Sequence, residues 1–109
     1  APDLPKVGGM RETRKIADVA NQYYVPVAMH NVSSPVGTVA SAHVAAAIPN
    51  ALAVEFHSYE LDWWADLVEG DVIENGRIEV PERPGLGVTL DIDTVAEHAV
   101  DGETVFDDP

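Results

Sequence analysis

The sequence predicts an α/β fold: the C-terminal portion of a (β/α)8, TIM-like barrel, incomplete in this chain. Three observations lead there. Helix-spaced and strand-like segments alternate with short links as far as residue 57. The two strand-like runs, "VPVAM" and "ALAVEFH", are largely apolar, as expected of parallel strands covered on both faces. Polar residues stand at the C-terminal ends of these strands, where barrels of this kind carry their chemistry.

The opening stretch "APDLPKVGGM" reads as a strand end and a loop, because Pro2, Pro5, Gly8 and Gly9 interrupt it. Gly8 and Gly9 are turn glycines ahead of a helix; an anion held at that helix start is the alternative. Residues 11–23 carry Ile16, Val19, Ala20 and Tyr23 at helical spacing, so that stripe is expected to be buried. "VPVAM" follows as a strand. Ser34 before Pro35 is a helix start, with an N-cap and then proline in the first turn. The helix that follows, "VGTVASAHVAAAI", is built of small residues suited to close packing, and Pro49-Asn50 ends it. "ALAVEFH" is the second strand, which makes a βαβ unit with a parallel pair.

After His57 the pattern changes. "SYELDWWADLVEGD" reads as an irregular stretch with a short helix. Asn75-Gly76 between two alternating runs signals a hairpin. "PGLG" is a tight loop, and "DIDTVAEHAV" is a helix with acidic residues at its N-terminus, where they suit the dipole. The tail "DGETVFDDP" is expected to fray. The organisation is therefore residues 1–57 as the last barrel βα units and residues 58–109 as a C-terminal segment with hairpin and terminal helix. Only two complete parallel strands are expected, and the chain opens where a strand is already ending. So narrow a parallel sheet leaves apolar faces uncovered, so the chain is expected to be the last part of a larger α/β protein and not to fold alone.

Composition narrows the function. The chain has 109 residues, enough for one small domain, and 46% are hydrophobic, enough for a core. It has no cysteine, hence neither disulfides nor thiolate metal sites. No secretory signal is visible in the opening stretch, and no run approaches the roughly 18 to 20 apolar residues of a membrane span. Nineteen acidic residues against six Lys and Arg give a net charge of −13, which repels nucleic acid and anionic membranes. An acidic disordered tail would be poor in apolar residues, which this chain is not. The balance suits a folded protein of a salt-rich cytoplasm, where the Debye length is about 3 Å at 1 M salt. All but three of the acidic residues lie at or beyond Glu55, so the first half is expected to be the more buried.

Three strand ends carry chemistry-bearing side chains: Asp3, His30 and Glu55. A single histidine in such a place is often a structural cap. Three such residues at the same end of consecutive strands favour an active site. The other candidates have plainer roles. His43 is a packing or surface residue of the Ala-rich helix. His57 is a loop histidine that shares the Glu55 face if the strand continues. His98 is solvated on the terminal helix. Trp63 and Trp64 pack a loop onto the barrel. Asn31 either donates to a substrate or caps a turn, and Lys6 is given no catalytic role.

"PDLPKVGGMRETRKIADVANQYYVPVAMHN", "SSPVGTVASAHVAAAIPNALAVEFH" and "PERPGLGVTLD" together resemble the C-terminal third of the mandelate racemase and muconate lactonizing enzyme group of the enolase superfamily. The resemblance is strongest to its galactonate- and gluconate-type sugar-acid dehydratases and covers nearly the whole chain. It implies that His30 is a catalytic base, that Asp3 orients it, and that Glu55 lies near the substrate carboxylate on the last barrel strand. It implies that "PGLGV" is the closing segment and that residues 58–109 pack on a capping domain. A Mg²⁺ ion is implied as well, with its carboxylate ligands on upstream strands outside this chain, as is the second acid/base residue.

The chemistry implied is removal of the C2 proton of an aldonic acid by His30, with Asp3 accepting a hydrogen bond from the other ring nitrogen. Glu55, protonated or sharing a proton, would hydrogen-bond the enediolate oxygen. Loss of the 3-hydroxyl gives a 2-keto-3-deoxy acid. A racemase or epimerase of the same group is the first alternative. An inactive truncated remnant, or a piece that assembles with a partner chain, is the second. The implied parent protein is a cytoplasmic hydro-lyase acting on a small sugar acid, often multimeric in this group, with no nucleic-acid or membrane partner; this chain by itself is expected to be inactive.

Overall fold

A computed structural model describes residues 1–57 and 60–101. The elements in order are α1 (Leu4–Val7), α2 (Met10–Gln22), β1 (Val27–Met29), α3 (Pro35–Ala47), β2 (Ala51–Val54), a 3-10 turn at Ala65–Leu67, and α4 (Ile92–Glu97). β1 and β2 pair in parallel, with Val27 opposite Ala51 and Met29 opposite Val54. Asp3 adds an isolated parallel bridge to His30 on the other side of β1. Residue 3 thus occupies the position of a third strand.

The opening stretch differs from its expected loop: Leu4–Val7 forms one turn of helix. Asp3 stands just before it in extended conformation, and a proline lies in the first turn. The proline suits the first turn here as it does in α3, but the Asp3 side chain does not cap the helix as Ser34 caps α3. Gly8 ends α1 in the left-handed conformation, with φ of 105°.

The stripe expected to be buried on α2 is the wrong one. Thr13 and Ala17 are buried, Ala20 is half-buried, and Ile16, Val19 and Tyr23 are exposed. Periodicity identified the helix but not its inner face. Small side chains let α2 approach its neighbours, whereas the larger apolar residues Ile16, Val19 and Tyr23 are left exposed. Ala17 sits in one cluster with Leu4, Val27, Met29, Ala40, Val44 and Ile48.

α3 forms as its sequence requires. The Ser34 hydroxyl accepts from the Gly37 amide at 3.4 Å, and Pro35 opens the helix. Its small residues Thr38, Ala40, Ser41 and Ala42 are buried, together with Val39 and Val44. Nearly all of the buried hydrophobic core precedes Glu55; Val68 is the exception, in keeping with the charge distribution.

Residues 60–101 lie over this unit through a few polar ties. The Trp64 indole donates to the Ser33 carbonyl at 2.9 Å, and its ring packs edge-on to Phe56. His43 on α3 donates to the Leu86 carbonyl at 3.0 Å, so it ties the "PGLG" loop to the helix. Asn75 and Gly76 form a tight turn with both φ angles positive, closed by two hydrogen bonds between Glu74 and Arg77. The runs flanking it do not become strands: pairing stops at that bridge, because a two-stranded ribbon with no further sheet to lie on is marginal. α4 is capped by Asp91, whose carboxylate accepts from the Thr94 amide at 2.8 Å. His98 is exposed but not merely solvated, since its ring stacks on Trp63. The tail expected to fray is residues 101–109, of which all but Asp101 lie outside the described residues. No helix among the described residues is long and apolar enough to cross a membrane.

Gly87 is buried at φ 76°, and a Cβ there would collide with the Pro81 side chain. Gly70 has φ 81° with open space around it. Gly87→Ala is therefore expected to destabilise the full-length protein by about 3 kcal/mol, and Gly70→Ala by about 1 kcal/mol. Denaturant midpoints check this; equal losses would show that contact with Pro81 is not what requires the glycine.

Candidate active site

The three residues singled out at strand ends come together. Backbone pairing does this: the His30 amide donates to the Pro2 carbonyl at 3.0 Å, and the Glu55 amide donates to the Met29 carbonyl at 2.9 Å. Asp3, His30 and Glu55 therefore sit side by side at the same end of adjacent parallel segments. His30 Nδ1 lies 2.9 Å from Asp3 Oδ2, and His30 Nε2 lies 3.9 Å from Glu55 Oε2. The first is a hydrogen bond; the second is too long for one.

Side-chain exposure rises across the row, from 14% for Asp3 to 37% for His30 and 49% for Glu55. Asp3 is the enclosed anchor, and Glu55 is the open side. The hydrogen bond from Lys6 holds the Asp3 carboxyl below its ordinary value of 3.8, against the opposing effect of burial; the bond to His30 adds to the lowering. Asp3 is thus an ionised acceptor. Its partner nitrogen Nδ1 must carry the hydrogen, which leaves the Nε2 lone pair directed to the Glu55 side when the ring is neutral. The arrangement can take a proton at Nε2 and stabilise the resulting imidazolium from behind.

Lys6, given no catalytic role from the sequence, reaches the site through Asp3. Its Nζ lies 2.8 Å from the same Oδ2 that His30 uses. The available signal was the helix start: once Asp3 precedes a helical turn, position 6 lies on its face at i+3.

Asn31 takes the structural alternative. It is buried, its amide donates to Thr38 Oγ1 at 3.0 Å, and it accepts from Ser33 Oγ at 2.6 Å. This network locks the turn after His30 onto α3. His57 is exposed, and Trp64 packs against the loop, as expected of it. Among the described residues no group of three or more His, Asp or Glu side chains could hold a metal ion. The described residues do not by themselves form a site for Mg²⁺.

The lowered carboxyl of Asp3 has a consequence for stability. Its pairing stabilises the fold above its unfolded value of 3.8, and the contribution is lost as pH falls through the lower folded value. The stability gap between the parent protein and Asp3→Asn is expected to be constant from about pH 5 to 8 and to close on acidification below about pH 4. Denaturant titrations across that range measure it; a gap that persists at the acid end would mean that the ionised pair is not its source.

Residues 1–95 match the family model described as enolase C-terminal domain-like. The chain is 72% identical over 109 residues to a D-xylonate dehydratase of Haloferax volcanii, covering 99% of this chain and 26% of that protein. It is 33% identical over 105 residues to a D-gluconate/D-galactonate dehydratase of Picrophilus torridus, covering 95% and 27%. The crystal structure of a mandelate racemase/muconate lactonizing enzyme-like protein from Rubrobacter xylanophilus superposes with a TM-score of 0.90 at 47% identity, covering 97% of this chain and 28% of that one. The chain spans about a quarter of the length of these relatives. A two-stranded parallel sheet with helices and residues at its C-terminal edge is accordingly a portion of an α/β barrel domain. The chain belongs to the enolase C-terminal domain-like family of the enolase superfamily.

Proposed function

We propose that this chain is the C-terminal portion of a Mg²⁺-dependent sugar-acid dehydratase that acts on an aldonic acid. D-xylonate is the first substrate to test, given the 72% identity to a protein of that name. The observation that carries the reading is the seat of His30 between two carboxylates, 2.9 Å from Asp3 and 3.9 Å from Glu55, at neighbouring strand ends.

In this reading His30 Nε2 accepts the proton from C2, and the C–H electron pair passes into the substrate carboxylate as an enediolate. Asp3 keeps Nδ1 as the donor nitrogen and offsets the charge that forms on the ring. Glu55 hydrogen-bonds the enediolate oxygen from the open side. Collapse of the enediolate forms the C2–C3 double bond, breaks the C3–O bond and releases water, with the leaving proton supplied by a group outside this chain. The enol then takes a proton at C3 and becomes the 2-keto-3-deoxy acid. A Mg²⁺ ion bound by side chains outside this chain would supply positive charge at the substrate carboxylate. Half of the acid–base machinery therefore lies elsewhere, and the 109 residues by themselves are proposed to be inactive. The acidic composition supports a salt-rich cytoplasm as the setting, and the family resemblance supports a homo-oligomer of full-length chains.

In the full-length enzyme, His30→Asn is expected to slow C2 proton exchange in D₂O by about 10² to 10⁴-fold with Mg²⁺ affinity retained. Exchange at the parental rate would place the base elsewhere. Turnover of D-xylonate to the 2-keto-3-deoxy acid is expected to rise with KCl toward molar concentration, since screening relieves the −13 charge. Full activity and stability in dilute buffer would remove the salt-rich setting from the proposal.

A further inference from the structure

We infer that Lys6 is a positioning residue of the Asp3–His30 pair: by sharing the carboxylate oxygen that His30 uses, it limits how firmly the imidazole holds a proton. The inference rests on the reading of His30 as the base and gives that base a tuning element.

Asp3 Oδ2 is contacted by His30 Nδ1 at 2.9 Å and by Lys6 Nζ at 2.8 Å. One oxygen at those distances puts the ammonium within roughly 6 Å of the imidazole. The placement is built in: α1 begins directly after Asp3, its proline fixes the first turn, and Gly8 stops it, so that Lys6 stands over the carboxylate at i+3.

Lys6 acts on the ring in two ways of the same sign. It draws part of the Asp3 charge into its own ion pair, and its positive charge opposes a second positive charge on the ring. Asp3 without it would favour the imidazolium before as well as after proton transfer, and a base already protonated cannot act. Lys6 keeps more of the resting imidazole neutral while Asp3 still supports the charge once it forms.

Glu55 faces Nε2 at 3.9 Å, opposite Asp3, and is the same in every variant compared. On α2, Arg14 pairs with Asp18 and Lys15 with Glu12. α3 contributes His43, which is bonded to the Leu86 carbonyl.

The test uses the full-length protein with Lys6→Met and Lys6→Arg. The Lys6 side chain is 72% exposed, so neither change threatens folding. The imidazole of His30 is titrated by ¹⁵N NMR, and C2 proton exchange of D-xylonate is followed against pH. In Lys6→Met the imidazolium of His30 is expected to persist to higher pH. Exchange on the acid limb is expected to fall about threefold, with the high-pH plateau retained, whereas Lys6→Arg behaves as the parent. A titration unmoved in Lys6→Met, or moved as far in Lys6→Arg, overturns the inference. A titration that moves while the exchange limb does not upholds the coupling and rejects His30 as the base. The NMR measurement needs no turnover, so it decides the coupling even if D-xylonate is inert.

Discussion

The site depends on the register of three parallel segments. Two backbone hydrogen bonds, from His30 to Pro2 and from Glu55 to Met29, set Asp3, His30 and Glu55 abreast. In a strand, a slip of one residue turns every side chain to the other face. Such a slip would put Met29, a core residue, where His30 stands, and move the imidazole to the buried position of Asn31. The hydrophobic demand of Val27 and Met29 for the interior therefore also aims the next residue at the open edge. Core packing and site geometry are one constraint here, read at two successive positions of β1.

The helices hold that register from outside. α3 is rich in Ala, Ser, Thr and Gly, and so can lie close to the sheet and α2. At Gly37 an added Cβ would press on Ser33 in the turn ahead of α3; the Ser33 hydroxyl is bound to Asn31. The turn that leaves His30 is thereby fixed by Asn31, Ser33 and Thr38 on one side and by the Trp64 indole on the other. A general base gains from such support, because misplacement by about 1 Å can cost a hundredfold in rate. The C-terminal segment earns its place through these ties, since little of the core lies within it.

Charge is distributed to match. The acidic residues concentrate in the later half, on mostly exposed backbone, while the first half carries the core and the Asp3–His30 pair. Within the site a single cation from α1 meets the enclosed carboxylate, and the exposed carboxylate of Glu55 is left facing the ring. The asymmetry between an enclosed anion and an open one separates their uses: one suits support of the ring, the other suits contact with a substrate.

Sequence by itself determined the order of α2, β1, α3, β2 and α4, the parallel pair, the Ser34–Pro35 helix start, the Asn75-Gly76 turn and three strand-end residues that come together. These follow from local chemistry: proline and capping residues act within a turn, and a polar residue ending an apolar run must lie at a strand end. Tertiary structure decided what depends on distant partners. Which face of α2 is inward was settled by the small residues Thr13 and Ala17, while Ile16, Val19 and Tyr23 of the larger apolar stripe stay exposed. The runs beside Asn75-Gly76 stayed unpaired beyond one bridge for want of a sheet to join. Lys6 became part of the site only when α1 folded and carried it over Asp3. Periodicity records how often a side chain returns to a face, but not what that face will meet.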